Sequence, residues 1–303
     1  MIQPSKKWRR YNTPYGICIN EKCETVIKDY LISNYSGSIQ LIFTSPPFPL
    51  NRAKKYGNLN GNEYQQWLCD IGKTLLPLLS PDGSIVIEIG NAWTPGEPTF
   101  STLPMETLLE FKKQCNLHLC QEFIYYNPAR LPSPIEWVNK EKIRVKDSFS
   151  RLWWLSKTTR PYACNSNVLE QYSKQMEKLL KNQKYNAGLR PSEHNISDTS
   201  FLKDLGGSIP SNVIICANTD SNNIYLNKCK EKGITIHPAR MPKALPTFFI
   251  KLLSRENDII LDCFAGSNMT GYCAEEQKRR WISIEVDKEY YFGSKFRFTG
   301  EKK

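Results

Sequence analysis

No stretch of this 303-residue sequence is apolar for long enough to cross a bilayer, and its basic, polar opening, MIQPSKKWRRYNTPYG, has no apolar core of the kind a secretion signal needs. A cytoplasmic setting with no membrane partner is therefore expected. No two of the ten cysteines form a Cys-x-x-Cys pair, and no second half of a four-ligand zinc site lies at a usable spacing. Reduced thiols packed in a core are expected, and no metal. Acidic residues are the minority charge, 30 against 41 basic, and the resulting +11 biases the chain toward polyanions without specifying a chemistry. Internal repeats and low-complexity tracts are missing too. With 40% hydrophobic and 23% charged residues, the chain has the composition of a globular protein of one large or two ordinary domains.

What is present alternates. Residues 38–43, 85–89, 119–126 and 151–155 are apolar runs of strand length, and 63–79 and 105–115 carry apolar residues at helical spacing. Ser80-Pro81-Asp82-Gly83 is a turn signal between two of these. From about 158 to 233 the periodicity thins and Asn, Ser and Lys become frequent, with one convincing helix at 171–181. Helix and strand patterns then return at 246–253, 258–261, 269–278 and 281–285. The pattern predicts an α/β sheet with helices on its faces, interrupted by an irregular insertion.

Near the C-terminus, "DIILDCFAGSNMTGYCAEEQKRRWISIEVDKEYY" predicts strand, small-residue turn, helix, and a second strand ending in an acid, Glu285. A carboxylate there, about 20 residues past the turn, can accept two ribose hydroxyls. The turn Phe264-Ala265-Gly266-Ser267-Asn268 has one glycine where a dinucleotide fingerprint has three. Pyrophosphate needs that room; a cofactor without phosphates, such as S-adenosylmethionine, does not.

A second feature stands far upstream, where the apolar run Leu41-Ile42-Phe43 ends in Thr44-Ser45-Pro46-Pro47-Phe48. Consecutive prolines forbid helix and offer no N–H, so this backbone presents carbonyl oxygens in fixed directions. With the Ser45 hydroxyl as acceptor and Phe48 as a flat wall, the segment suits a nucleobase amine. Accepting both N–H protons, at Ser45 and at the Pro46 carbonyl, aims the nitrogen lone pair at an electrophile. No His or Lys partner for Ser45 is evident nearby, so an activated nucleophile is not expected.

These residues carry a family resemblance. TSPPF at 44–48, LDCFAGSNMTG at 261–271 and WISIEVDKEY at 281–290 resemble the catalytic and cofactor motifs of amino-methyltransferases that act on DNA. The catalytic motif precedes the cofactor motif, as in the β-class, and Ser-Pro-Pro followed by an aromatic resembles the N4-cytosine subgroup of type II restriction-modification systems. The resemblance implies a Rossmann-like methyltransferase fold, circularly permuted, with a mixed, mostly parallel sheet. Residues 1–157 would be its catalytic part, 158–235 a target-recognition region and 236–303 the cofactor-binding part. It implies S-adenosyl-L-methionine held by Asp262, Phe264, Ala265, Gly266, Ser267, Asn268, Thr270 and Glu285, with His237 and Pro238 at the amino-acid end, and catalysis by Ser45, Pro46, Pro47 and Phe48. Asn268-Met269 departs from the Gly-Thr of many relatives, and no adenine contact is assigned near 17–26.

The partner implied is double-stranded DNA, with a cognate restriction endonuclease as functional counterpart. Arg52, Lys54 and Lys55 follow the catalytic motif and suit backbone phosphates. Lys140, Lys142, Arg144 and Lys146 alternate with other residues as on a strand with one basic face, so Lys142 and Arg144 join the candidate DNA contacts. Adenine-N6 methylation, a catalytically silent DNA-binding relative and a nicotinamide-dependent dehydrogenase remain the alternatives.

Overall fold

The structure, a computed structural model, describes residues 8–48, 61–218 and 223–299. Its strands in chain order are β1 (Arg9–Asn12), β2 (Gly16–Asn20), β3 (Ile39–Thr44), β4 (Leu79–Gly90), β5 (His118–Tyr126), β6 (Phe149–Ser156), β7 (Gly188–Leu189), β8 (Asn195–Ile196), β9 (Val213–Ile215), β10 (Ile259–Asp262) and β11 (Arg280–Ile284). The helices are α1 (Cys23–Val26), α2 (Ile32–Tyr35), α3 (Gly61–Leu75), α4 (Leu103–Gln114), α5 (Lys174–Asn182), α6 (Ile224–Glu231), α7 (Ala244–Leu253), α8 (Met269–Glu276) and α9 (Lys288–Ser294).

Nine strands form one sheet in the order β1-β2-β11-β10-β3-β4-β6-β5-β9. From β2 to β4 its members run parallel, and β6 is antiparallel to both neighbours. The expected mixed, mostly parallel α/β class holds. Every residue of β3 and β10 is buried, because strands covered on both faces have no polar side to show. β10 and β11, last in the chain, are wedged between β2 and β3. Connections leave β10 and β3 in opposite directions along the sheet, and such a divergence opens a crevice at the carboxyl ends of the strands.

The covering helices bury the faces the periodicity marked. α3 packs inward through Tyr64, Leu68, Ile71 and Leu75, and it approaches α4 so closely that a Cβ on Gly72 would meet Phe111 at 2.4 Å. Phe249 of α7 meets Phe43 of β3 at 5.5 Å and Phe123 of β5 at 5.0 Å between ring centroids. The Ser80–Gly83 turn signal falls inside β4: Ile39 pairs with Leu79 and Leu41 with Ser84, so these residues form a bulge rather than a break.

The chain divides into two compact units, residues 164–211 and the remainder. The smaller is tied by local contacts. Ser173 caps α5, β7 pairs with β8, Tyr172 donates to Asp204, and a backbone bridge joins Glu170 to Ser208. No residue of α5 is buried. This unit is narrower than the 158–235 segment marked by composition: β9 pairs with β5, and α6 forms a small core with Ile234, Ile236 and Phe296, all in the larger unit.

Candidate active site

A cleft of about 710 Å³ opens at the carboxyl ends of β3, β4, β10 and β11. The turn after β10 forms one wall. Gly266 has φ +51°, a left-handed conformation that favours glycine, and a Cβ there would press on His237 Nε2 at 2.9 Å. The buried Glu285 carboxyl closes around this turn, with Oε2 accepting from Gly266 N at 2.6 Å and Oε1 from Asp287 N at 2.7 Å. Burial pushes Glu285 up to about 7 despite those N–H donors. Asp262, at the end of β10, is also raised by burial, and it accepts from Thr270 at 2.7 Å and Thr44 at 2.8 Å. One carboxyl thus ties α8, β10 and the end of β3 together.

Ser45, Pro46, Pro47 and Phe48, at the end of the neighbouring strand β3, line the same cleft as the turn. The Phe48 ring lies against Gly90, where a Cβ would sit 2.7 Å from it. Glu88 is the residue that local sequence reasoning missed. It is buried at 7% exposure, lines the cleft with Ser45 and Arg130, and is pushed up to about 7 by that burial against the pull of those two side chains. The β3–β4 register explains the meeting, since Thr44 pairs with Ile87 and the next residues along are Ser45 and Glu88. Its only sequence signal was a single carboxylate inside the apolar run Ile85-Val86-Ile87-Glu88-Ile89. Ser45 therefore has an acidic partner, where no partner was evident from sequence.

A model of the N6/N4 amino-methylase family, described as DNA methylase, matches residues 39–295. The chain belongs to this DNA methylase family. It is 46% identical over 263 residues to the type II methyltransferase M.PvuII of Proteus hauseri, an alignment covering 86% of this chain and 78% of that one. It is 26% identical to the type II methyltransferase M.HpaI of Haemophilus parainfluenzae, over 92% of this chain and 74% of the other. Among solved structures, the PvuII cytosine-N4-specific DNA methyltransferase superposes with a TM-score of 0.76 at 36% identity, over 97% of this chain and 89% of that one. The M1.HpyAVI complex with SAM superposes at 0.56 and 20% identity, over 93% and 98%, which is agreement of fold.

In this methylase the cleft gathers most of the residues singled out from sequence, but not all. Asp262, Phe264, Ala265, Gly266, Ser267, Thr270, Glu285 and His237 line it. Asn268 does not. Fully buried at φ +55°, it caps α8 by accepting from Gly271 N, accepts from Ser283 and donates to Tyr11. Pro238 is likewise off the wall, whereas Ala239 to Pro242 are on it. Trp67 and Phe264, 5.6 Å apart, supply flat apolar surface, and Glu21 to Glu24 also line the cleft. Trp67 was legible as helix face but not as lining.

Among the basic positions, Arg52, Lys54 and Lys55 lie outside the described residues. The basic strand expected at 140–146 is absent. Glu136–Lys140 is a helical turn, Lys142 has φ +60°, Lys140 pairs with Glu136, Arg144 donates to Pro98 O, and Lys146 donates to Pro128 O. Period-2 charge alone makes no strand where the backbone hydrogen bonds go elsewhere. Among the described residues no cluster could hold a metal ion, and no helix is long and apolar enough to cross a membrane.

Proposed function

We propose that this methylase moves a methyl group from S-adenosyl-L-methionine to the exocyclic N4 amine of a cytosine in a short duplex sequence, as the modification enzyme of a restriction-modification system. The carrying observation is that strand register brings Ser45 beside the buried Glu88 in the same cleft as the Glu285–Gly266 turn. The turn fits that cofactor: Glu285 stands where ribose hydroxyls can be accepted, and the single glycine at 266 lacks the three-glycine cradle that a pyrophosphate needs. When bound, the cofactor supplies an electrophilic methyl group on a sulfonium centre.

The chain's own residues do the rest. Glu285 keeps a second lone pair on each oxygen for ribose hydroxyls. Ser45 donates its hydroxyl proton to Glu88 and so turns its lone pairs outward, where they and the Pro46 carbonyl accept from the amine. As the amine gains the methyl group, its proton passes to Ser45 Oγ while the serine proton passes to Glu88. A carboxyl near 7 is suited to that exchange at neutral pH. The amine is inaccessible in a stacked duplex, so the base is flipped out, with Phe48 along its face. The cytosine-N4 specificity of the PvuII enzyme supports N4 as the target atom, as does Ser rather than an acid or Asn at position 45. Arg52, Lys54 and Lys55 are assigned to phosphate contacts, residues within 158–235 to target recognition, a cognate endonuclease to the other half of the system, and the cytoplasm as its setting.

The test is transfer of labelled methyl to duplex DNA followed by nucleoside analysis. N4-methylcytosine is expected. N6-methyladenine would move the reading to the other base, and no transfer with cofactor still bound would leave a silent DNA-binding relative.

A further inference from the structure

Arg130 is used by nothing above, yet it lines the catalytic end of the cleft beside Ser45 and Glu88. It follows β5 and is braced on β6, donating from Nη1 to Phe149 O at 2.9 Å and from Nη2 to Ser150 Oγ at 3.1 Å. Asp147 lies 3.8 Å from Nη1 and is itself held by Asn91 Nδ2 at 2.9 Å. A guanidinium has five N–H donors and no acceptor, and the two hydrogen bonds to β6 leave donors over. Its side chain remains 32% exposed. The result is a planar cation on the loop after β5, braced in direction and lining the same cleft as Ser45 and Glu88.

Along its amine edge cytosine presents a donor and then two acceptors, N4, N3 and O2. Ser45 and the Pro46 carbonyl accept from the first, so donors must meet the other two. Adenine presents N6, N1 and then a C–H, which offers nothing to a second N–H. A donor left facing that C–H in a desolvated site is penalised, so the same fork that satisfies cytosine disfavours adenine.

We propose that Arg130 reads the N3/O2 acceptor edge of the flipped cytosine and, with Ser45, sets the choice of base; the proposal rests on the cytosine-N4 reading. Its test is a double-mutant cycle between protein and DNA. Wild type and Arg130→Met are assayed on duplexes carrying cytosine or 3-deazacytosine, which keeps the amine and O2 but has C–H for N3, at the mapped target position. Wild type is expected to lose roughly 10- to 100-fold in kcat/KM on the analogue, and the variant to lose little beyond what it has lost on cytosine. Losses that multiply would overturn the contact, since a merely structural arginine weakens both substrates alike. Should Arg130→Met fail to bind cofactor, the wild-type comparison still decides, since equal kcat/KM on cytosine and 3-deazacytosine would overturn a contact at N3. Wild type giving no N4-methylcytosine on the unmodified duplex would instead sink the functional reading, independently of the cycle.

Discussion

Ser45 and Glu88 are the pair proposed to carry the reaction, and only one was legible in the sequence. Ser45 announces itself because its neighbours are prolines and a ring, a local pattern with a local meaning. Glu88 has no motif; it reaches Ser45 through strand register, which arises from pairing between segments and not within one. Ser45→Ala is expected to lower kcat by about 100-fold or more with cofactor affinity nearly unchanged, read by single-turnover assay against cofactor titration. Because Glu88 accepts a proton only when ionised and sits near 7, kcat should fall as pH drops below 7, about tenfold per unit. Glu88→Gln should lower the plateau and abolish that limb; an unchanged acid limb would assign it elsewhere. The same group affects stability with a definite sign. A carboxyl whose folded pKa lies above its unfolded value stabilises the fold at low pH and loses that contribution as pH rises from about 4.5 through 7. Glu88→Gln should therefore raise the melting temperature at pH 8, by the equivalent of about 2–3 kcal/mol at most.

At the scale of elements, the β10–turn–α8 unit divides its labour between two left-handed positions, on either side of Ser267, that the sequence made look alike. Gly266 gives room on the cleft side, and Asn268 ties the turn to α8, β11 and β1 on the other. The glycine is readable as a turn after a strand, and as a cofactor turn only in company with Thr44 to Phe48, since any strand–helix unit can use a glycine there. Asn268 was read as a cofactor contact because its side chain's direction follows from the turn's backbone, which the sequence does not display. The two should separate in experiment. Gly266→Ala places a methyl group against His237 and is expected to weaken cofactor binding at least tenfold, with a smaller change in melting temperature. Asn268→Ala removes a helix cap and buried hydrogen bonds and is expected to cost about 2–4 kcal/mol of stability, read by denaturant unfolding. The opposite pattern would exchange their roles. Charge alternation at 140–146 misled for a related reason: it fits a strand only where a partner strand receives its hydrogen bonds.

For the whole molecule, the sheet class and the separateness of the middle segment were legible, because hydrophobic period and its loss are averaged over many residues. The boundaries were not. β9 is three residues of ordinary composition, and its place on β5 is a long-range pairing. The +11 charge belongs to this scale as well. If it serves a duplex, DNA affinity should fall steeply with salt, by about 10³-fold between 50 and 200 mM for six or so phosphate contacts, while cofactor affinity barely moves. Titrating both at several salt concentrations checks this, and a flat DNA dependence would separate the charge from DNA binding.

The single carboxyl of Asp262 that reaches Thr44 on one side and Thr270 on the other has a metric consequence. Neighbouring strands keep a repeat of about 4.8 Å, imposed by backbone hydrogen bonding and indifferent to side chains. With the donor's proposed seat on β10 and the acceptor's on β3, the gap a methyl group would cross is gauged by that repeat, not by loops that would have to be frozen at each turnover. Loops can then diverge to suit different DNA sites without the gauge being reset.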